Sequence, residues 1–159
     1  MIVLISNSGG DDGDGSSAGR GPQGPADGIE VPVADVVDGD TIEVLVNGHE
    51  EDVRYIGIDT PESVAPDQPV ECFGHEASRF NERLVGGENV RLEFDAERRD
   101  VYGRWLAYVY VGDLFVNAEM VREGYATTLT IPPNDSFAGH FDRLEQRAGN
   151  EGLGLWGAC

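Results

Sequence analysis

The stretch that decides the fold is VDGDTIEVLVNGHEEDVRYIGIDTPE, residues 37–62. Within it, residues 41–46 alternate between polar and apolar side chains, as expected of a β-strand with one buried face. Asn47-Gly48 follows, which is the strongest short signal for a two-residue hairpin turn. Residues 52–58 then give a second β-like run. The stretch therefore predicts a β-hairpin with an acidic turn at each end.

The residues outside this hairpin predict three more principal strands and about three helices. A β-branched run over residues 31–37 indicates the first strand. Later patterns indicate strands over 89–94 and 105–111, a short returning strand at 114–116, and helices over 75–85, 118–123 and 137–148. Five strands with a helix between the third and fourth are typical of a small oligonucleotide-binding barrel. We therefore predict an α+β fold, a five-stranded OB-fold Greek-key barrel with about three helices.

The first residues differ in composition from the rest of the chain. Residues 6–27 are rich in Gly, Ser, Asp and Pro and hold almost no apolar side chain. Such a segment buries too little surface to offset the entropy lost on ordering. We predict a flexible, acidic, Gly/Ser-rich tail or linker over residues 1–28. The remaining residues, 29–159, suit one domain with a single core.

The chain is strongly acidic. It has thirty Asp and Glu residues but only eleven basic residues, every one of them Arg, so the formal charge is −19. This balance is unusual for a protein that binds nucleic acid, and it keeps proteins apart where salt screens charge strongly. Such surfaces resemble those of proteins from salt-loving microbes, so we expect a salt-tolerant, halophilic protein.

The cysteines and the apolar segments indicate where in or outside the cell the protein is located. No segment reaches the roughly 18 apolar residues of a membrane helix, so we expect no spanning segment. Cys72 and Cys159 are either a disulfide, which would suit an oxidising compartment, or two unrelated thiols. We favour the disulfide and an extracellular or cell-surface location, with a cytoplasmic location as the alternative. We expect a monomer.

Two acidic residues stand where neighbouring strands begin and end. Asp40 closes the turn before one strand and Asp59 follows the next strand, so the two carboxylates can meet. Oxygen ligands of this kind suit a hard cation such as Ca²⁺, and the carbonyl of Thr60 would be a third. The alternative for Asp38 and Asp40 is turn formation, because Asp hydrogen-bonds its own backbone in turns.

Three further side chains have the properties needed to cleave a phosphodiester. Arg54 lies within a strand and would bind a phosphate if buried; a structural ion pair is the alternative. Glu62 follows a proline that fixes the backbone, and it would polarise a water as a general base. Arg104 precedes a strand and is either a second phosphate clamp or a surface arginine. A metal, a base and two cations together indicate phosphodiester hydrolysis.

Four motifs resemble those of the staphylococcal nuclease (thermonuclease) family in order and spacing, over about residues 29–156. They are Val37-Asp38-Gly39-Asp40-Thr41, Arg54 followed by Ile58-Asp59-Thr60-Pro61-Glu62, Gly74-His75-Glu76-Ala77-Ser78, and Asp100-Val101-Tyr102-Gly103-Arg104-Trp105-Leu106-Ala107-Tyr108. The resemblance implies an OB-fold, calcium-dependent endonuclease that cuts single-stranded DNA or RNA and leaves 3′-phosphates.

The resemblance also implies a metal site, a catalytic set and a substrate contact. Asp40, Asp59 and the Thr60 carbonyl would hold Ca²⁺. The catalytic set would be Arg54, Glu62 and Arg104, and Tyr102 would lie beside the phosphate of the bound nucleotide. In the catalytic set, the arginines would bind the scissile phosphate, and the glutamate would act as general base or orient the water. Asp38 would lie behind the metal ligands.

This chain departs from the family pattern around the substrate. Residues 63–70 replace a lysine-rich loop and hold no basic residue, and Val101 stands where the family has a phosphate-binding lysine. Residues 128–133 replace a segment with two tyrosines under the base, so base stacking is expected to be weaker. The complete catalytic set favours a secreted nuclease. The acidic surface and the missing lysines favour the alternative, a non-catalytic OB-fold module that binds nucleic acid or a protein.

Overall fold

The computed structural model describes residues 28–159. The tail predicted over residues 1–28 lies outside this range except for Gly28, and it stays a prediction. Within the described range the chain forms eight strands and four helices. The strands are β1 (Ile29–Val36), β2 (Thr41–Val46), β3 (His49–Tyr55), β4 (Gly57–Asp59), β5 (Asn89–Glu93), β6 (Trp105–Val111), β7 (Leu114–Phe115) and β8 (Thr127–Leu129). The helices are α1 (Gly74–Val85), α2 (Val116–Arg122), α3 (Ala138–Glu151) and α4 (Leu155–Ala158).

Five of these strands close into the predicted barrel. The hydrogen-bonded order is β3-β2-β1-β5-β6, and β3 also pairs with β6 in parallel, which closes the sheet on itself. β7 extends the sheet beyond β6. α1 lies in sequence between the third and fourth strands of the barrel, as predicted. The OB-type α+β fold is therefore confirmed.

The β2–β3 hairpin forms where the sequence predicts it. Asn47 and Gly48 both have positive φ, 52° and 80°, as in the turn favoured between antiparallel strands. Alternate apolar residues of both strands lie in the core. At the open end of the hairpin the register places Thr41 opposite Arg54. The arginine therefore stands across from the acidic turn that precedes β2.

The strand predicted over residues 52–58 is wrong at its end. β3 ends at Tyr55, and Gly57, with φ of 81°, turns the chain into the separate strand β4. A side chain at Gly57 would overlap the ring of Phe141 on α3, so both the conformation and the space require glycine. β4 pairs with β8, a short strand that the sequence pattern did not predict. The break places Asp59 at the end of a strand in a separate two-stranded sheet.

The three predicted helices are present, with shifted ends. α1 begins one residue before the predicted range 75–85, α2 begins two residues early, and α3 runs three residues beyond the predicted end at 148. α4 was not predicted; Leu155 at its start and Leu153 just before it are half-buried. No helix within residues 28–159 combines the length and the apolar character needed to cross a membrane.

A disulfide joins Cys72, two residues before α1, to Cys159, directly after α4. Their Cα atoms are 6.0 Å apart, and the two cysteines are 87 residues apart in sequence. The preferred prediction for the two cysteines is confirmed. The bond connects the last short helix to the segment that follows the irregular loop of residues 63–70.

Candidate functional site

The turn before β2 holds Asp40 pointing into the protein. Oδ1 of Asp38 accepts the N–H of Asp40 at 3.0 Å, so Asp38 does form the turn that its residue type suggests. Asp40 is only 5% exposed. Its Oδ1 accepts a hydrogen bond from the Thr41 hydroxyl at 3.1 Å. The turn therefore fixes one carboxylate in a buried position.

Thr60 ties the end of β4 to this turn. Its N–H donates to Oδ2 of Asp40 at 2.9 Å. Gly39 lies so close to the Thr60 side chain that a Cβ there would be 2.7 Å from the Thr60 Oγ1. Only glycine permits this approach without displacement. The two segments that carry the predicted metal ligands are thus in direct contact.

Arg54 joins the two predicted carboxylate ligands. Its Nη1 lies 3.1 Å from Oδ2 of Asp40, and its Nη2 lies 3.1 Å from Oδ1 of Asp59. Nη1 also donates to the Ile58 carbonyl at 3.0 Å. The Arg54 side chain is 16% exposed and that of Asp59 is 54% exposed. One guanidinium thus joins a buried carboxylate from the turn before β2 to a largely exposed carboxylate at the end of β4.

The acidic groups here repel one another. Burial, followed by the charge of Asp40, raises the pKa of Asp38 to about 7. Burial also raises the pKa of Asp59, and Arg54 only partly opposes it, because the charges of Asp40, Glu71 and Glu62 add to the increase. Neighbouring carboxylates that repel one another in this way are stabilised in their ionised form by a bound cation.

The oxygen donors fit a hard cation such as Ca²⁺, which takes carboxylate and carbonyl ligands. Within residues 28–159 no group of three or more His, Cys, Asp or Glu side chains is arranged as a metal cluster. A calcium site here would therefore depend on Asp40, Asp59 and a backbone carbonyl. Thr60 is the candidate for that carbonyl, since its N–H binds Asp40 and keeps the two segments together.

Glu62 is oriented by the loop that follows it. Its Oε1 accepts the N–H groups of Ser63 at 3.0 Å and Val64 at 2.8 Å. Its own N–H donates to Oε2 of Glu71 at 3.1 Å, and the Glu71 N–H returns a bond to the Glu62 carbonyl at 2.9 Å. The carboxylate therefore has a fixed direction although the loop around it is mostly exposed.

Arg104 is positioned by one nearby aspartate, to which the sequence analysis gave no role. Its Nε donates to Oδ2 of Asp100 at 2.7 Å, and Oδ1 of Asp100 accepts the N–H groups of Tyr102 and Arg104, both at 2.9 Å. Burial disfavours the charged form of Asp100, but these hydrogen bonds and the Arg104 charge outweigh it and hold its pKa below the usual value. An ionised Asp100 thus fixes the whole turn.

Closure of the barrel brings Arg54 and Arg104 into one groove. β3 pairs with β6 so that Val53 lies opposite Trp105, the residue after Arg104. Both arginines line a groove of about 550 Å³, with Tyr102 at 82% exposure and Val101 at 93% exposure among its walls. The apolar part of the lining includes Ile58, Leu106, Leu129 and Ile131. Of the predicted site residues, Arg54, Arg104 and Tyr102 line the groove, whereas Asp40, Asp59, Thr60 and Glu62 are not part of its lining.

A buried polar network under the acidic turn also went unpredicted. The Tyr55 hydroxyl donates to Oδ1 of Asn81 at 2.7 Å, and Nδ2 of Asn81 donates to the Asp38 carbonyl at 2.8 Å. Both side chains are buried. Asn81 lies on α1, where a polar residue in a helical pattern is normally assigned to the exposed face. Its one sequence signal is its position one residue after Phe80 and three before Leu84, next to the apolar stripe.

Comparison with known proteins identifies the family. A family model described as staphylococcal nuclease homologue matches residues 52–158. The chain belongs to the staphylococcal nuclease family. The match includes Arg54, Asp59, Glu62 and Arg104, whereas the turn with Asp40 precedes it.

Relatives within the staphylococcal nuclease family bear related names. The thermonuclease of Staphylococcus intermedius is 42% identical over 121 residues, which cover 76% of this chain and 72% of that protein. Endonuclease YncB of Bacillus subtilis is 40% identical over 130 residues, or 80% of this chain and 62% of that protein. The SPbeta prophage-derived endonuclease YokF of the same species is 42% identical over 130 residues and is covered to 44% of its length. The chain thus spans most of the thermonuclease, about three fifths of YncB and less than half of YokF.

Proposed function

We propose that the protein is a calcium-dependent endonuclease that hydrolyses single-stranded DNA or RNA and leaves 3′-phosphates. The names thermonuclease and endonuclease of its relatives support phosphodiester cleavage. The observation that carries the proposal is the position of Arg54. Its guanidinium binds both Asp40 and Asp59 and also lines the groove that contains Arg104. A phosphate in the groove would therefore lie beside two cations and a carboxylate pair.

In the proposed reaction, a water oxygen forms a bond to phosphorus while the bond from phosphorus to the 5′ oxygen breaks. Glu62 accepts a proton from the water and later returns it to solvent, and the 5′ oxygen takes a proton from solvent. The products are a 3′-phosphate and a 5′-hydroxyl, so the net change is the addition of one water. Such proton transfer contributes roughly 10²–10⁴-fold to rate.

The remaining residues would hold the phosphate and its charge. Arg54 and Arg104 would bind the phosphate oxygens, because a guanidinium matches their geometry and keeps its charge. Asp40, Asp59 and the Thr60 carbonyl would hold Ca²⁺, which when bound neutralises charge on a phosphate oxygen. Tyr102 is 82% exposed at the groove and would lie against the nucleotide.

The groove supports a single-stranded substrate. Its lining combines three arginines, Arg54, Arg99 and Arg104, with exposed apolar side chains, Leu129 at 41% and Ile131 at 63% exposure. A base can reach such a surface only when it is unpaired and can turn out of its stack, as in single strands. A duplex would offer its phosphates and keep its bases paired. We therefore propose preference for single strands, with DNA and RNA both accepted.

The proposal extends to the surroundings in which the protein works. The Cys72–Cys159 disulfide supports an oxidising, extracellular or cell-surface location. The net charge of −19 supports tolerance of salt, because like charges on the protein and the substrate repel most at low ionic strength. We propose a monomer, since one chain carries both the acidic site and the groove.

The decisive experiment is Ca²⁺-dependent digestion of single-stranded DNA and RNA across a salt series, with Glu62→Gln beside the wild type. We expect activity that persists or rises up to ~1 M salt, where the Debye length falls to about 3 Å. Glu62→Gln should lower kcat by about 100-fold or more, with Ca²⁺ affinity largely retained. Phosphatase-sensitive 3′ ends would verify the products.

Glu76→Gln is the matched control, because the substitution removes the same charge from an exposed position in the first turn of α1. It should leave kcat unchanged. Single strands that are bound and remain intact in every salt condition would refute the enzyme and favour the binding module. Steady loss of activity from low to high salt would contradict the salt-tolerance part alone.

A further inference from the structure

The loop after Glu62 is closed at its base by a pair of hydrogen bonds. Glu62 and Glu71 exchange them, from the Glu71 N–H to the Glu62 carbonyl at 2.9 Å and from the Glu62 N–H to Oε2 of Glu71 at 3.1 Å. The residues between them, 63–70, are mostly exposed and form no helix or strand. We call Glu62, Glu71 and Cys72 the neck of this loop. The neck fixes the backbone of Glu62, and the N–H groups of Ser63 and Val64 then hold its carboxylate.

The start of α1 packs directly on the neck. The Gly74 N–H donates to the Glu71 carbonyl at 2.9 Å. A Cβ at Gly74 would lie 2.5 Å from the Glu62 carbonyl oxygen, so the helix start and the Glu62 backbone are in close contact. A shift of residues 71–74 would therefore move Glu62 as well.

The other end of the disulfide lies on the helical side of the molecule. Cys159 directly follows α4, and the Leu155 N–H at the start of α4 donates to the Gly124 carbonyl at 2.8 Å. Gly124 follows α2, and its backbone contacts Leu153 so closely that a side chain would not fit. Cys159 is thus anchored to the body formed by α2, α3 and α4.

A ring contact of the residue after the neck and the covalent bond of Cys72 connect this region to the body. The ring of Phe73 stacks on Tyr125 with centroids 5.2 Å apart, and the Cys72–Cys159 bond lies next to it in sequence. Glu62, Glu71 and Asp59 carry like charges near the neck, which favour its opening. Hydrogen bonds exposed to water contribute little net free energy against such repulsion. A covalent tether limits opening without relying on them.

We propose that the Cys72–Cys159 disulfide positions Glu62 for catalysis by holding the neck of its loop against the α2–α4 body. The proposal rests on the proposed function, because it needs Glu62 to act in the reaction. It assigns the disulfide a role in turnover in addition to its role in stability. The cysteines act through Glu62 and do not touch the substrate.

The test is the double variant Cys72→Ser/Cys159→Ser, assayed with single-stranded DNA at a temperature at which circular dichroism shows it fully folded. We expect kcat to fall about tenfold, since misplaced catalytic groups cost roughly one to two orders of magnitude. KM should change less than about twofold, because Arg54, Arg104 and Tyr102 lie on the barrel and its turns. Amide hydrogen exchange should accelerate in residues 62–72 beyond any acceleration in β2 and β3 that the lower global stability causes. An unchanged kcat or unchanged exchange in residues 62–72 would overturn the proposal.

A second comparison separates positioning from a general structural effect. In the Glu62→Gln background, loss of the disulfide should have almost no further effect on kcat, since effects through one group are not additive. If the disulfide variant loses the same factor with and without Glu62, the tether acts elsewhere and the proposal fails. If Glu62→Gln itself keeps full activity, the proposed function is at fault, and the hydrogen exchange measurement still tests the tether.

Reduction of the folded wild type gives the same test without any substitution. A dithiol reductant converts the bridge into two thiols and is itself oxidised to a cyclic disulfide. The reduced wild type should match the double variant in kcat and in exchange, and the double variant should not respond to the reductant. This route also covers the case in which the double variant fails to fold. Full activity of the reduced, folded wild type would overturn the proposal.

Discussion

Arg54 and Arg104 line the same groove but are positioned in opposite ways. Arg54 is held by carboxylates from two other segments, Asp40 and Asp59, and its side chain is 16% exposed. Arg104 is held by Asp100, four residues before it in the chain, and its side chain is 33% exposed. One arginine depends on the tertiary structure, and the other depends on a local turn.

This difference indicates that the two arginines should respond differently to substitution. Loss of Arg54 leaves Asp40, which is buried, without its cation, and buried charges without partners are strongly destabilising. Loss of Arg104 leaves Asp100 with two backbone N–H donors and partial access to water. Substitution of Arg54 should therefore reduce both stability and activity. Substitution of Arg104 should reduce activity with little effect on stability.

The largest effect is expected for Arg54→Ala. We expect kcat to fall by about 10³-fold, because a cation that stabilises transition-state charge is worth roughly 10²–10³ in rate. The free energy of unfolding should also fall by roughly 3 kcal/mol, as for a broken buried ion pair. Initial rates of single-strand digestion and urea unfolding measure the two losses on the same preparation.

Arg104→Ala is the comparison for this substitution. It should reduce kcat by about 10²-fold or more while the urea midpoint changes little, since partly exposed ion pairs contribute about 1 kcal/mol or less. Equal destabilisation by both substitutions would break the distinction between a tertiary and a local arginine. Full activity of either variant would remove that residue from the catalytic set.

The local parts of the fold were predictable from the sequence. The β2–β3 hairpin follows from alternation and from Asn47-Gly48, which are signals carried by adjacent residues. The break at Gly57 was not, because its cause is the ring of Phe141, more than eighty residues away. β8 was also missed, since a three-residue strand exists only through its pairing with β4.

In the candidate site, too, residue types could be predicted from the sequence, whereas contacts that depend on the tertiary fold could not. The acids and arginines could be named because their chemistry is visible in residue type and motif. Sequence reasoning left two alternatives for Arg54, a phosphate contact and a structural ion pair, and the structure reveals the ion pairs with Asp40 and Asp59. Asn81 was missed because its burial depends on the Asp38 carbonyl, which reaches it only through the tertiary fold.

A smaller effect is expected for Asp100→Asn, which tests whether Asp100 positions Arg104. An asparagine keeps one acceptor oxygen but presents an NH₂ group where Oδ2 now accepts from the arginine Nε at 2.7 Å. We expect kcat to fall about tenfold, as for a moderately misplaced group. KM should change less, and Arg104→Lys should remain impaired in either background because an ammonium cannot replace the planar fork.

Asp113→Asn is the matched control, since it removes one carboxylate from the exposed turn between β6 and β7. Its kcat should equal that of the wild type. In an Arg104→Ala background, Asp100→Asn should cause almost no further loss, as expected of residues that act as one unit. A full additional tenfold loss would assign Asp100 a role apart from Arg104.

The smallest effect is the pH dependence of the stability that Asp100 provides. Because its pKa is lower in the folded protein than its usual value of 3.8, the unfolded chain binds more protons between these two values. The stabilisation is therefore fully present above about pH 5 and is lost as the pH falls through the folded pKa. The difference in unfolding free energy between wild type and Asp100→Asn, about 1 kcal/mol at neutral pH, should shrink below pH 4. Urea unfolding of both proteins at several pH values measures this difference. The contributions of the other carboxylates cancel, because both proteins contain them. A difference that stays constant down to pH 2 would mean that the backbone of the turn, and not the Asp100 charge, holds Arg104 in place.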